Sequence, residues 1–160
     1  FDHLKVGEKI GLDGPYGMAY LREDAERDIL CLGGGSGLAP VVSIARGWAR
    51  SDKLKGRKLH FIYGGRTPAD ICGEDMLKEL RDYGVDLHYY PVVSMPEADK
   101  AGAWKGLTGF VHDVAAQTFG DGLKDMEIYF AGPPMMAEAV MRLVVEKKIP
   151  PTQVHYDQFV

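Results

Sequence analysis

Cysteine is nearly absent from this 160-residue chain: Cys31 and Cys72 are the only two, and they lie in different local contexts. That excludes a disulfide framework and a four-cysteine metal or iron–sulfur site within the chain. Cys31 reads as a small core residue, and no motif surrounds Cys72. A basic excess is missing too, since 19 Lys and Arg stand against 23 Asp and Glu for a net charge of −4. Nucleic acid is therefore not an expected partner, because its phosphates call for a basic surface. No apolar run approaches the roughly 20 residues that a membrane helix needs. No N-terminal signal peptide is read either, although the chain opens on Phe1 rather than Met. The expectation is a cytoplasmic protein with no membrane partner. Paired carboxylates, zinc-ligand spacing and Ser-His-Asp elements do not stand out, so no metal ligand and no catalytic side chain is nominated.

What is present is an ordinary globular composition, 46% hydrophobic and 26% charged, in a length that suits one well-buried α/β domain. The organising stretch is Cys31 to Pro40. Asp28-Ile29-Leu30-Cys31-Leu32 supplies a short apolar run of the kind found in buried parallel strands. Gly33, Gly34, Gly35 and Gly37 follow, four glycines in five positions. Without Cβ atoms the backbone can approach a ligand and aim its N–H groups at an anion. Pro40 fits the first turn of the next helix, whose positive end would face the same anion. By itself this turn reads equally well as a phosphate cradle or as a purely structural bend, because Gly35-Ser36-Gly37-Leu38-Ala39-Pro40 matches the dinucleotide fingerprint only in part.

Strands and helices alternate around it. Val41, Ile44, Ala45 and Trp48 recur at helical spacing. Lys58 to Tyr63, Val85 to Val93, Ile128 to Ala131 and Val154 to Tyr156 read as further strands, with short helices at Met76 to Leu80 and Phe110 to Phe119. Ser94 to Gly109 reads as irregular. Gly132-Pro133-Pro134 is a second sharp strand-to-helix turn, stiffened by its prolines, and Met136, Val140, Leu143 and Val144 share one face of the helix after it. The expected fold is α/β: an open, mostly parallel five-stranded sheet with helices on both faces, its ligand beyond the carboxyl ends of the strands. Leu4 to Leu12 alternates as a strand, and a lone strand needs a partner, so it reads as the tail of a preceding β-domain.

Arg66 and Asp70 fall just past the second strand, where dinucleotide domains meet a ribose; an acid there favours ribose hydroxyls and an arginine a 2′-phosphate. A surface ion pair is the equal alternative. Of the five histidines, His60, His88 and His155 read as strand packing or surface residues and His112 as a helix-start residue. Met135, Met136 and Met141 read as helix packing.

In this order and spacing, Gly14-Pro15-Tyr16-Gly17, the turn Gly34 to Pro40, Tyr63-Gly64-Gly65-Arg66 with Asp70, Trp104 to Val111, Ala131-Gly132-Pro133-Pro134-Met135-Met136 and a terminal aromatic at Phe159 resemble the ferredoxin–NADP reductase superfamily. The resemblance is strongest to the reductase components of bacterial multicomponent oxygenases. It implies that residues 1–27 are the last strand of a flavin-binding β-barrel with its linker, and residues 28–160 an NAD(P)H-binding domain. It further implies that Gly34, Gly35, Ser36 and Gly37 lie against the pyrophosphate, Arg66 and Asp70 near the adenosine ribose, and Gly132, Pro133, Pro134 and Met135 beside the nicotinamide. Phe159 would approach a flavin ring.

The implied activity is hydride transfer from NADH, which Asp70 favours over NADPH, to FAD in the full-length protein. Electrons would then leave singly to an iron–sulfur centre serving a ring-hydroxylating oxygenase, with a ferredoxin or the oxygenase component as acceptor. The chain departs from the family in having Ala131 where many relatives carry cysteine. It also lacks a flavin motif and a ferredoxin cysteine cluster, which leaves the flavin, and any 2Fe–2S cluster, to an upstream region. Alternative readings are a non-catalytic nucleotide-binding or docking domain, and the reductase half of a globin-linked flavoprotein.

Overall fold

The computed structural model describes residues 3–14, 16–98 and 104–157. Alternating apolar strands and amphipathic helices fold into one parallel sheet. The strands are β1 (Asp28–Gly34), β2 (Leu59–Gly65), β3 (Leu87–Val93), β4 (Leu107–Thr108), β5 (Met126–Ala131) and β6 (Val154–Tyr156), in the spatial order β4-β3-β2-β1-β5-β6. Every pairing is parallel. The chain moves from β1 outward to one edge, then crosses back to β5 on the other side of β1. That reversal opens a crevice at the carboxyl ends of β1 and β5.

Side-chain alternation along β1 decides which helix lies where. Ile29 and Cys31 point to the face covered by α1 (Leu38–Arg50) and α2 (Glu74–Lys78), where Val41, Ile44, Ala45, Trp48 and Leu77 are buried with them. Leu30 and Leu32 point to the other face, against Val111, Val114 and Ala115 of α3 (Val111–Phe119) and Val140, Leu143 and Val144 of α4 (Pro134–Glu146). Each fully buried side chain of this size contributes about 1.5–3 kcal/mol, so the two layers together set the fold. Trp48, 1% exposed, also satisfies its indole by donating to the Arg57 carbonyl at 3.1 Å.

Among the described residues the sheet has six strands rather than five. The additional one, β4, consists of two exposed residues paired with Val92 and Val93, inside the stretch read as irregular. It forms because the β3 edge offers partners, not because Leu107-Thr108 carries a pattern. The third strand starts at Leu87 rather than Val85: Gly84, at φ +79°, and the carbonyl of Asp82 close a turn that leaves Val85 exposed. Residues 4–12 form no strand among the described residues. Val6 and Leu12 stand almost fully in solvent, consistent with the rule that a strand needs a neighbour to pair with.

The connector into β1 is tied to the sheet at several points. The Arg22 N–H donates to the Tyr129 hydroxyl at 2.8 Å, and the Met18 N–H to Asp157 Oδ1 at 2.8 Å. Arg27 Nη1 pairs with the buried Glu127 at 3.0 Å, and His155 Nε2 meets the other oxygen of the same carboxylate.

Candidate nucleotide cleft

Two sharp turns face each other at the carboxyl edge. The first follows β1: Gly35 to Gly37 make a single tight turn that runs straight into α1. Gly35 is the only residue there with positive φ, +54°, and open space surrounds the position its Cβ would take. The second follows β5: Pro133 caps α4 in extended conformation, Pro134 opens the helix, and the Pro133 carbonyl accepts from the N–H groups of Met136 and Ala137 at 2.9 and 3.1 Å. Only the first turn is suited to a negatively charged group: at the second, Pro133 and Pro134 have no N–H, and those of Met136 and Ala137 are taken by the Pro133 carbonyl, which leaves a stiff shelf.

The two turns interlock. Gly37 is buried, and a Cβ on it would collide with the backbone of Ala131 and Gly132. Met136 places its sulfur over Gly34 and Gly132, 2.8 and 2.7 Å from where their β-carbons would be, so both strand ends are glycine to admit one thioether.

Between these turns and the ends of β2 and β3 lies a cleft of about 890 Å³. That size lies within the range of small-molecule sites. Its wall includes Gly34, Gly35, Arg66 and Asp70 on one side and Pro133 and Met135 on the other. Thus six of the residues nominated from sequence meet around one space. Ser36 stands exposed at the head of α1, Gly37 and Gly132 form the packed floor joining the two turns, and Pro134 is the first residue of α4; none of these four lines the cleft. Phe159 lies outside the described residues.

Asp70 is held by its own loop. Its Oδ2 accepts from the Thr67 N–H at 2.8 Å and the Thr67 hydroxyl at 2.9 Å, closing the turn Pro68–Asp70. These bonds, the backbone one first, hold the carboxyl below its ordinary range, so it is ionised at neutral pH. The Arg66 backbone and charge add to this effect, although no side-chain ion pair joins Arg66 to Asp70 among the described residues. Gly65 is required at this loop because a Cβ would lie 2.9 Å from that of Asp70.

Other residues line the cleft that were not nominated from the sequence as site residues: Tyr63 and Phe110, which stand in the quoted motifs, with Ser94, His112 and Arg142. Phe110 is 59% exposed and stacks on His112 at 5.7 Å between ring centres. His112 does sit in the first turn of α3, yet its Nδ1 is buried without a hydrogen-bond partner. The signal was the exposed aromatic directly after Gly109, itself at φ +113° and therefore a fixed bend. Tyr63 donates its hydroxyl proton to the Gly35 carbonyl at 3.1 Å, linking β2 to the first turn.

The sequence pattern of the oxidoreductase NAD-binding domain family matches residues 31–142, which span both turns. The chain belongs to that family, within the ferredoxin reductase superfamily. It is 35% identical over 159 residues to the ferredoxin–NAD(P)+ reductase CarAd of Metapseudomonas resinovorans, an alignment covering 99% of this chain and 46% of that protein. It is 34% identical over 158 residues to the reductase component of propane 2-monooxygenase from Mycolicibacterium goodii, covering 98% and 44%. Among solved structures, the ferredoxin reductase in carbazole 1,9a-dioxygenase superposes with a TM-score of 0.76 at 32% identity, over 89% of this chain and 40% of that one. The chain thus spans less than half the length of the curated relatives it matches. Among the described residues no helix is long and apolar enough to cross a membrane.

Proposed function

We propose that this chain is the pyridine-nucleotide part of a longer, flavin-dependent electron-transfer reductase, and that its cleft binds NADH. The observation that carries the reading is the convergence of the two helix-heading turns, after β1 and β5, on a cleft that also holds Arg66 and Asp70. The residues fit a dinucleotide. Open space over the Gly35 backbone admits phosphates, and the exposed Phe110 ring, backed by half-buried His112, offers a flat apolar surface for a base. Asp70 is poised to accept hydrogen bonds from ribose hydroxyls and to repel a 2′-phosphate.

A bound nicotinamide would supply hydride chemistry and a flavin one-electron chemistry. This chain's residues orient and enclose. The turn from Gly34 to Gly37 receives the pyrophosphate, with Gly37 supporting it from below. Gly132, Pro133, Pro134 and Met135 form a stiff shelf beside the nicotinamide, the prolines fixing its backbone angles. Residues 1–27 are read as the end of a flavin-holding β-barrel and its linker. The exposed apolar side chains of Val6, Leu12 and Tyr16 support that reading, since they await a surface to cover them. FAD is assigned to that upstream barrel, and Phe159 to its ring. The acceptor is a ferredoxin or an oxygenase component, as the names of the relatives indicate for those proteins. A soluble, cytoplasmic setting accords with this role.

Titrating the chain with NADH by calorimetry tests the reading. One-site binding is expected, and it is lost on Gly35→Asp, which sets a carboxylate where the phosphates would lie. No heat of binding with a folded chain rejects it.

A further inference from the structure

A turn built of glycines does not hold itself. Gly35, at φ +54° and with nothing within 4 Å of its Cβ position, crosses between left- and right-handed backbone at little cost. What holds it comes from the neighbouring strand. Tyr63 is 3% exposed and lies beside Gly33 in the sheet register. Its phenol donates to the Gly35 carbonyl at 3.1 Å while its oxygen accepts from Cys72 Sγ at 3.6 Å. The Gly35 carbonyl also receives the Leu38 N–H, so it is pinned from two sides. Burial pushes the phenol up to about 12, so the hydroxyl keeps the proton it donates at neutral pH.

In a trans peptide the carbonyl and the following N–H point in opposite directions. Fixing the Gly35 carbonyl therefore fixes the Ser36 N–H. A flip of this one peptide would exchange a donor for a partial negative charge at the surface that meets the phosphates. We propose that Tyr63 is a positioning residue for the nucleotide's phosphates, its hydroxyl clamping the Gly35 peptide so that the Ser36 amide is presented to the pyrophosphate. This rests on the nucleotide reading of the cleft and adds to it the part that sets the cradle's orientation.

The test compares the full chain with Tyr63→Phe, which keeps the ring packing and removes only the hydroxyl. Each is titrated with ADP-ribose and, by competition, with adenosine, and each is melted to verify the fold. The clamp predicts a loss of about 3- to 10-fold in ADP-ribose affinity, with adenosine binding and the melting temperature nearly unchanged. Equal losses for both ligands would assign Tyr63 to general packing, and no loss for ADP-ribose would make its hydroxyl irrelevant; either overturns the proposal while leaving the nucleotide reading intact. A wild-type chain that binds neither ligand overturns both.

Discussion

Gly37 lies so close beneath Ala131 that a β-carbon on Gly37 would overlap the Ala131 carbonyl. The glycine is therefore the joint between the two turns of the cleft.

Substitution here should act first on stability. Gly37→Ala forces the turn after β1 away from backbone that belongs to a central strand and cannot swing aside, and we expect a loss of about 3 kcal/mol in urea denaturation. Gly35→Ala makes a useful contrast. Its Cβ meets open space, and only the left-handed backbone penalises it, by about 1–2 kcal/mol. A Gly37→Ala chain as stable as wild type would mean that the two turns do not depend on each other.

On the nucleotide reading proposed for the cleft, Asp70 is the residue that would set the choice between NADH and NADPH. Its carboxyl is kept ionised by the Thr67 bonds, and an asparagine could accept the same bonds without charge. Asp70→Asn is expected to strengthen NADPH binding about 5- to 10-fold through the loss of repulsion, with NADH affinity within about 2-fold of wild type. In the intact reductase, wild-type protein should reduce an artificial acceptor faster with NADH. A clear preference for NADPH would remove Asp70 from this role and hand the ribose site to Arg66.

Acid sensitivity is expected to centre on His60, whose ring is packed among His88, Tyr90 and Phe119. Burial first, then the charge of His88 and Lys58 against the opposing pull of Asp28, lowers His60 to about 4 from its ordinary 6.5. The fold thus holds the ring neutral while the unfolded chain takes up a proton at 6.5. The contribution is fully present above pH 6.5 and falls away as the pH drops toward 4, by on the order of 2 kcal/mol. Comparing urea unfolding of wild type and His60→Asn at pH 7 and pH 5 isolates it from the carboxylates that titrate in the same range. Parallel losses in the two proteins would show that His60 is not the sensitive group.

These sites differ in how visible they were beforehand. β1 could be read directly, because a strand buried on both faces needs an unbroken apolar run, and Ile29 to Leu32 is one. The helices flanking it were visible through the spacing of Val41, Ile44, Ala45 and Trp48, all of which are buried. β4 left no trace, since two exposed residues on a sheet edge are held by their neighbour's backbone and any side chains would serve. Gly37 was legible as a glycine but not as a joint, because its partner lies nearly a hundred residues away on β5. Tyr63 read as one of the apolar residues of its strand and His112 as a helix-start residue, and only the fold brings the two to one cleft.

The connector before β1 offers a last measurement. Glu127 is 3% exposed at the start of β5 and is shared between Arg27 and His155. A buried carboxylate that loses a partner retains the cost of its desolvation, so removing the partner is worse than removing the pair. Arg27 is 42% exposed, which moderates the effect through solvent screening. Arg27→Ala is therefore expected to cost about 1–2 kcal/mol, and Arg27→Ala with Glu127→Gln less than the sum of the two single changes. The coupling, read from urea denaturation of the four proteins, should be about 1 kcal/mol. Simple additivity would mean that His155 alone satisfies Glu127, and that the connector is held to the sheet by the Arg22 and Met18 backbone bonds to Tyr129 and Asp157.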